Sequence, residues 1–358
     1  MTVKKLYRNI NALIIPTGIG AKIGGYAGDG TPVAKLLAKA SDLLITHPNV
    51  INAAALTDIP QNVTVLEGYL LDRFFANQIC LRLNVKHKIA VIMDSGAALR
   101  EKEITENAIH AAENVYGLDV IENIFYTDIP LNVSLEGLGN IVPLLNACKQ
   151  AVEAGATALA LLVKLPLALD SENSKEYLDG AGADPIGSIE AKISHMVSKQ
   201  FLIPSAHAPV FDYPIQHEGV VHPRVAAEQL AHTFLPSVFK CLQFSPRIIP
   251  LKHSYKLLQS EYVNPADWDL NPKEDDIRVA DLSNLVVPYD CCNGVPMIEA
   301  HRSEIQLLTV LNNQTVIDDT ADFYAIPHKV VNNYLEAAGY LLANTKDKEF
   351  INPKLFYV

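Results

Sequence analysis

Short apolar runs that open into Gly- or Pro-containing loops and then into helices recur along this chain. The first run, Asn11 to Pro16, is followed by a loop from Gly18 to Gly30 and by a helix that ends near Ala40. A second run, Asp42 to Thr46, completes the unit. Because these runs do not alternate with polar residues, they are typical of strands buried in a parallel sheet. The pattern predicts a βαβ unit of about 35 residues.

The same order of elements recurs further along the chain. The run Lys88 to Met93 precedes a helix from Glu101 to Asn114, and a helix from Val142 to Ala154 precedes the run Ala156 to Val163. Alternation of this kind predicts an α/β fold, with a mainly parallel sheet and helices on both faces.

We expect this fold to comprise two βαβ-type lobes. Residues 1–168 would form a lobe with the Gly-rich loop, residues 169–184 an exposed loop or boundary, and residues 185–358 a lobe that closes the site. The regions Leu13 to Asn49 and Leu285 to Asn313 share one order of elements, so internal duplication is a hypothesis beside two ordinary βαβ units. In the second lobe the sequence predicts a helix over 186–198, a strand over 201–204, a loop over 207–212, a helix over 224–235 and a strand over 285–288.

Composition and charge narrow the class of protein. With 49% hydrophobic and 19% charged residues, the 358-residue chain is suited to a compact fold. Its formal net charge of −11 disfavours nucleic acid as a partner. The five cysteines have neither a CxxC pair nor a repeated spacing, which argues against a disulfide scaffold or a zinc ribbon.

No apolar stretch is long enough to span a bilayer, and the first residues do not resemble a signal peptide. We therefore expect a cytoplasmic protein without a membrane partner. The high apolar content makes a homo-oligomer a hypothesis, although a large core explains it equally well.

Glycines are densest between Gly18 and Gly30, where six of the chain's 18 glycines fall in 13 positions. A Gly-rich loop before a helix can bring its backbone N–H groups close to an anion. Lys22 could add a charge, and Asp29 could bind a hydroxyl group or a metal. The spacing matches neither GxxxxGK[ST] nor GxGxxG, so a structural tight turn is the alternative.

Polar residues also follow the predicted strands. His47 and Asn49 come directly after the second strand, where ligands bind in parallel sheets. His47 is a candidate acid or base, or simply a hydrogen-bonded cap. Glu67 lies between apolar residues and is a better site candidate than Asp72, which stands beside Arg73 and is expected to form a surface ion pair with it.

A second set of candidates lies in Ser205–Asp212. His207 and Asp212 suggest a metal site, with further histidines at 195, 217, 222 and 232. No HExxH spacing supports this, so His207 is as well explained by ordering its own loop.

The segment 289–294 follows a predicted strand and precedes a helix. Cys291 or Cys292 could therefore be a thiol of lowered pKa, and Asn293 and Gly294 could contact a ligand. Asn312 and Asn313 form another polar patch at a strand end, although asparagine is also an ordinary turn residue.

Five segments together carry a resemblance that extends over nearly the whole chain: GIGAKIGGYAGDGTPVAKLLA, LLITHPNV, PSAHAP, HPRVAAEQLAHTFLP and LNNQTVIDD. The chain resembles a family of bacterial and plastid proteins known only as a domain of unknown function, and this resemblance implies no chemistry. A much weaker similarity, limited to Gly loops at strand ends, is to the nicotinate-nucleotide phosphoribosyltransferase fold. No catalytic motif of that fold is present.

We expect a small-molecule enzyme that binds a phosphorylated or carboxylated metabolite, such as a nucleotide, at the carboxyl ends of the strands. The expected acid–base residues are His47, His207 and Glu67. The expected ligand contacts are Gly18, Gly20, Lys22, Gly24, Gly25, Gly28, Asp29, Asn49, Cys292, Asn293, Gly294, Asn312 and Asn313. The alternatives are a metal-dependent hydrolase or lyase that uses His207 and Asp212, and a non-catalytic ligand sensor or assembly factor. The sequence does not separate transferases from hydrolases and indicates no cofactor.

Overall fold

The computed structural model describes residues 7–26, 28–55, 58–134, 137–165, 176–210, 219–230 and 233–343. Its strands are β1 Ile10–Leu13, β2 Leu43–Thr46, β3 Val63–Val65, β4 Ile79–Arg82, β5 Lys88–Met93, β6 Asp119–Val120, β7 Phe125–Tyr126, β8 Ala158–Lys164, β9 Ser205–Val210, β10 Arg247–Pro250, β11 Leu282–Pro288, β12 Gln306–Val310 and β13 His328–Val331. Its α-helices are α1 Thr31–Lys39, α2 Gly68–Phe75, α3 Leu99–Tyr116, α4 Val142–Glu153, α5 Pro185–Phe201, α6 Leu235–Gln243, α7 Tyr255–Leu258, α8 Val295–Arg302 and α9 Tyr334–Ala343.

The larger sheet has six parallel strands in the order β13-β12-β11-β1-β2-β3. Its two central strands come from opposite ends of the chain. The Asn284 side chain donates to the Asn11 side-chain oxygen (2.7 Å), and these two buried residues are partners in the register of β11 and β1. This bond between the central strands helps to fix the register, because a slip would leave two buried amides without partners.

Helices cover both faces of this sheet. Alternate residues of β1 point to opposite faces, so Ala12 joins one core cluster and Leu13 the other. Helices α1 and α9 pack in the cluster of Leu13, and α2 and α8 pack in the cluster of Ala12. In α1 the apolar residues are spaced for one face of a helix, as Val33, Ala34, Leu37 and Ala38.

The second sheet is also parallel and runs β6-β5-β8-β9, with β7 paired to the far end of β5. Its faces are covered by α4 and α5 on one side and by α3 and α6 on the other. The prediction of a mainly parallel α/β fold with helices on both faces is therefore confirmed. A small antiparallel pair, β4 with β10, lies outside the two parallel sheets.

The predicted boundary at residues 169–184 does not separate the two sheets. Strand β8 precedes this segment and β9 follows it, and the two strands are hydrogen-bonded neighbours. The larger sheet likewise combines strands from before residue 66 with strands from after residue 281. The division into lobes at 1–168 and 185–358 stays a prediction.

Three local predictions in the second half are wrong. Helix α5 extends through Phe201 and ends at Leu202, whose left-handed backbone stops the helix, so no strand forms over 201–204. His207 lies in β9 and not in a loop; Pro209 is tolerated there because β9 is an edge strand. The helix predicted over 224–235 is a short 3-10 turn at Ala226–Leu230, and the α-helical apolar stripe begins only at Leu235.

Within the described residues, the structure has no helix that is both long and apolar enough to cross a membrane.

Candidate functional site

A cleft of about 260 Å³ opens at the carboxyl ends of the central strands of the larger sheet. Its wall includes Ile14 and Thr17 after β1, His47 after β2, and Gly294 and Met297 after β11. Strands β1 and β11 lie side by side, but the chain leaves them toward opposite edges of the sheet. Ligands of doubly wound sheets bind outside the strand ends at such a switch point. The cleft therefore occupies the position where this architecture places a ligand.

The three residues predicted to be catalytic all line this cleft. His47 comes from the end of β2, Glu67 from the residue before α2, and His207 from β9 of the second sheet. Asn49 and Gly294, predicted as ligand contacts, lie on the same wall. The fold thus brings together residues that are far apart in the sequence.

Glu67 is the N-cap of α2 and is only 6% exposed. Its Oε2 accepts a hydrogen bond from the backbone N–H of Tyr69 (2.8 Å). Burial penalises the charged form and raises the pKa of Glu67 to about 8, even though the hydrogen bonds oppose this shift. At neutral pH the side chain is therefore a carboxylic acid that can give up a proton.

His47 is also buried, and its Nε2 accepts from the backbone N–H of Ile15 (3.3 Å). An acceptor nitrogen carries no proton, so the neutral ring is protonated at Nδ1. Burial lowers the pKa of His47 to about 4, and the ring stays neutral across the physiological range. The Nδ1–H group is then the part of this side chain that can donate to a ligand.

His207 is held from the side of α5. Its Nδ1 lies 2.9 Å from the hydroxyl of Ser194, which donates to the carbonyl oxygen of Glu190 in the preceding turn. When the Ser194 hydroxyl donates to that carbonyl oxygen, Nδ1 of His207 donates to the hydroxyl and Nε2 carries the lone pair; when the hydroxyl donates to Nδ1 instead, Nε2 carries the proton. Nε2 lies 4.0 Å from Oε2 of Glu190. Burial lowers the pKa of His207 to about 4, so this ring is a neutral proton acceptor.

Two titratable residues of the lining were not among the predicted site residues. Nδ1 of His195 lies 3.7 Å from Oε1 of Glu67, and its ring packs edge-on against Tyr69. Asp72 lines the cleft, and burial raises its pKa to about 6. Arg73, its expected ion-pair partner, lies over the ring of Tyr69 and donates to Gln78 (3.1 Å).

One sequence signal could have identified the α5 wall of the cleft. Glu190, Ser194 and Ser198 recur every fourth residue on an otherwise apolar face of α5. The Ser198 hydroxyl lies 2.6 Å from that of Ser205 in β9, which in turn donates to the carbonyl oxygen of Ser194 (3.1 Å). A buried polar stripe at this spacing indicates a wall of fixed polar groups.

The Gly-rich loop, residues 18–30, does not line the cleft, and its polar groups form hydrogen bonds within the chain. The Asp29 carboxylate accepts from the amides of Gly24 and Tyr26 and from Nε of Arg224 (3.0 Å). Lys22 donates to the side chain of Gln314 (2.7 Å). The loop does hold an anion, but the anion is the chain's own carboxylate.

Close packing explains why glycines are needed in this loop. At Gly18, where φ is +71°, a Cβ atom would lie 1.7 Å from Oγ of Ser188. At Gly25 it would lie 2.1 Å from the carbonyl oxygen of Ala21, which belongs to the backbone. Gly20, Gly24 and Gly28 also have positive φ. The structural tight turn therefore accounts for these glycines without a ligand.

The remaining predicted contacts lie apart from the cleft. Asn313 is fully buried and bonds to the backbone of Ile23 and to the hydroxyl of Tyr334, and Asn312 is exposed. Asn293 donates to Asp319 on the surface. Cys292 is buried, and burial raises its pKa to about 11, as it raises that of Cys291 to about 12. The expectation of a thiol with lowered pKa is therefore wrong.

A larger groove of about 500 Å³ lies at the amino ends of strands from both sheets. Its histidine, His87, has both ring nitrogens engaged, with Thr157 (3.2 Å) and the carbonyl oxygen of Ser245 (3.0 Å). The groove therefore offers less acid–base chemistry than the cleft.

Among the residues that the structure describes, no group of three or more His, Cys, Asp or Glu side chains could hold a metal ion. Asp212, His217 and His232 lie outside those residues. The metal alternative with His207 and Asp212 therefore stays a prediction.

Comparisons with known proteins agree with the resemblance seen in the sequence. The family model described as "Protein of unknown function (DUF3326)" matches residues 10–355. An uncharacterized lipoprotein of the cyanobacterium Synechococcus sp. is 33% identical over 342 residues, which cover 93% of this chain and 90% of that protein. No solved structure matches the chain significantly, so the similarity to the phosphoribosyltransferase fold stays a prediction. With a family match over nearly its whole length, the chain belongs to the DUF3326 family.

Proposed function

We propose that this protein is a small-molecule enzyme that moves protons by general acid–base catalysis in the cleft. The observation that carries the proposal is the convergence of Glu67, His47 and His207 on one cavity at the strand ends. Groups whose surroundings push their pKa values apart can take the roles of acid and base at one pH.

The geometry suggests a role for each side chain. Glu67 is a carboxylic acid at neutral pH and would protonate the substrate. His207 would accept a proton at Nε2 in the tautomer whose Nδ1–H group donates to Ser194. His47, fixed by the N–H of Ile15, would stabilise developing negative charge with its Nδ1–H group. Isomerisation, elimination and hydrolysis all use such a set.

Solvent isotopes can reveal this activity without a known substrate. A cellular extract of low-molecular-weight metabolites would be incubated with the protein in D₂O, or in water labelled with ¹⁸O, and analysed by mass spectrometry. We expect one or a few metabolites to gain a label or to change mass. Removal of a general acid lowers rates by about 10²- to 10⁴-fold, so Glu67→Gln should abolish the labelling.

Matched controls are available on the surface. Glu122→Gln and His301→Asn change exposed side chains and should label as the wild type does, whereas His207→Asn should not. If the wild type labels no metabolite above the Glu67→Gln background, the proposal of catalysis fails. A ligand that binds in the cleft without labelling would favour the sensor alternative.

The relative named a lipoprotein bears on location. A lipoprotein is held at a membrane by a lipid anchor, and we set this location beside the predicted cytoplasmic one for the present chain. Fractionation of cells that carry the full chain separates the two, because only an anchored protein enters the detergent phase. A homo-oligomer also stays a prediction, which light scattering would test.

A further inference from the structure

The side chains around the cleft carry a charge that selects its ligand. We propose that the cleft takes a small molecule with an apolar body and an amine, and that it rejects phosphates and carboxylates. The inference rests on the proposed function, since it takes the cleft as the substrate site. It also replaces the anionic ligand expected from the sequence.

In the part of the chain that the structure describes, no Lys or Arg side chain lines the cleft. The positive charge on its wall is limited to the partial charge of two helix N-termini, since Gly68 begins α2 and Gly294 is the N-cap of α8. Sites for phosphates and carboxylates use Arg, Lys or several free backbone N–H groups. The charges of Arg73 and Lys199 act on the lining residue His195 from outside the wall, and the Arg73 guanidinium is engaged with Tyr69 and Gln78.

The histidines do not supply the missing charge. His47 and His207 are neutral because both are buried, and burial also lowers the pKa of His195. A neutral imidazole can donate or accept a hydrogen bond, but it provides no counter-charge for an anion.

Negative charge, in contrast, is present on the wall of the cleft, at Asp72. Asp72 is half-buried on the wall; burial raises its pKa to about 6 against the opposing effect of the Arg73 charge, so the carboxylate is the main form at pH 7. Glu67 stands at the N-terminus of the same helix with its Oε1 facing the cleft wall formed by His195. An ammonium group placed between them would meet one carboxylate and one carboxyl group, whereas an added anion would be repelled.

The volume of the cleft and its apolar lining residues define the apolar part of the ligand. A dry cavity of about 150 Å³ holds a benzene molecule, and this cleft, at about 260 Å³, is larger. Ile14, Leu71 and Met297 provide apolar contacts. A ring or branched chain with one polar group therefore fits it best.

Four probes that share a phenyl ring can test the order of preference: benzylamine, benzyl alcohol, benzoate and phenyl phosphate. The chain has four methionines, so the protein labelled with ¹³C at the methionine methyl groups gives few NMR signals. Met297 lies in the cleft, and Met297→Leu identifies its signal. Titrations that follow this signal report binding at the cleft and do not depend on turnover.

We expect benzylamine to bind most tightly and benzoate about tenfold more weakly or worse, with benzyl alcohol between them. Asp72→Asn should reduce the affinity for benzylamine to that for benzyl alcohol, and Asp128→Asn, on the surface, should not. Tighter binding of benzoate or phenyl phosphate at the Met297 signal would overturn the proposal, and so would the absence of any shift with benzylamine. Amine binding without isotope labelling would instead contradict only the proposed catalysis.

Discussion

The Gly-rich loop is conspicuous in the sequence but closed in the structure, whereas the cleft is inconspicuous in the sequence but open in the structure. The loop concentrates six glycines in 13 residues, whereas the cleft is assembled from single residues of ordinary appearance. In the structure the loop is closed by Asp29 and Arg224, and the cleft is open and lined by groups with shifted pKa values.

This difference shows what a high density of glycines indicates in this protein. A backbone N–H binds a ligand only if no protein acceptor has taken it, and the loop's amides at Lys22, Ile23 and Gly28 all bond to protein oxygens. The glycines here allow close packing, as at Gly25. Buried titratable side chains at strand ends are the more informative signal.

The largest expected effect concerns the proton on Glu67. The folded chain holds this proton up to pH about 8, whereas the unfolded chain releases it above about 4.5. The contribution of this group to the free energy of unfolding is therefore complete below pH 4.5 and is lost as the pH rises to 8. Relative to Glu67→Gln, the wild type should lose on the order of 4 kcal/mol across this range.

Urea unfolding of both proteins at pH 5, 6.5 and 8 measures this difference. Glu122→Gln, at an exposed carboxyl, should follow the wild type at every pH. A difference between wild type and Glu67→Gln that does not vary with pH would show that Glu67 is not protonated in the fold.

The next effect tests the packing of the loop. Gly25→Ala forces a Cβ atom to within 2.1 Å of a backbone oxygen, and we expect a loss of about 3 kcal/mol in the free energy of unfolding. Gly339→Ala, on the exposed side of α9 with no atom within 4 Å, should be neutral or stabilise by up to about 1 kcal/mol. Equal midpoints for the two variants in urea would refute the packing explanation.

A smaller effect concerns the carboxylate that closes the loop. Asp29→Ala leaves Arg224 and two amides without this acceptor, and we expect a loss of about 2 kcal/mol, part of which added formate should restore. Asp58→Ala removes a fully exposed partner of Lys240 and should leave both the unfolding midpoint and its response to formate unchanged. Thermal shift assays with formate and chloride distinguish occupancy of the site from a general salt effect.

The smallest expected effect tests the role of the hydrogen bond between Ser194 and His207. Ser194→Ala removes the side-chain partner of His207 Nδ1, and we expect isotope labelling of the substrate to slow about tenfold. The ¹⁵N shifts of the His207 ring should also lose the pattern of a single Nδ1-protonated tautomer. Ser303→Ala should change neither quantity, and an unaltered His207 spectrum in Ser194→Ala would remove Ser194 from this role.

Local sequence signals predicted the fold where strands are buried and helices are periodic. β2, β5 and β8 lie where apolar runs placed them. The errors fall where tertiary context prevails. A loop was predicted over 207–212, but His207 and Pro209 lie in an edge strand. A strand was predicted over 201–204, but Phe201 ends a helix and packs against Tyr262. Nothing in the local sequence indicates that β9 is an edge strand.

The site was predictable only in part. His47 stood out because it follows a predicted strand and Glu67 because it lies between apolar residues, and both line the cleft. Asp72 was misjudged because its neighbour Arg73 suggested an ion pair, whereas a helix directs adjacent residues to different faces. Which strand ends meet depends on the pairing of β1 with β11, and this long-range contact has no local signature.

The pairing of β1 with β11 also determines when, during synthesis, the cleft can form. During synthesis, the strands of the second sheet leave the ribosome as one continuous stretch, from β5 to β9. β1 must wait for β11, and the wall of the cleft is incomplete until Met297 has emerged. Domains generally fold as units during synthesis, and long-range strand pairing is slow. A nascent chain that ends before β11 therefore exposes the edge of β1 and lacks part of the wall of the cleft, so the ligand proposed above would bind only chains synthesised past Met297.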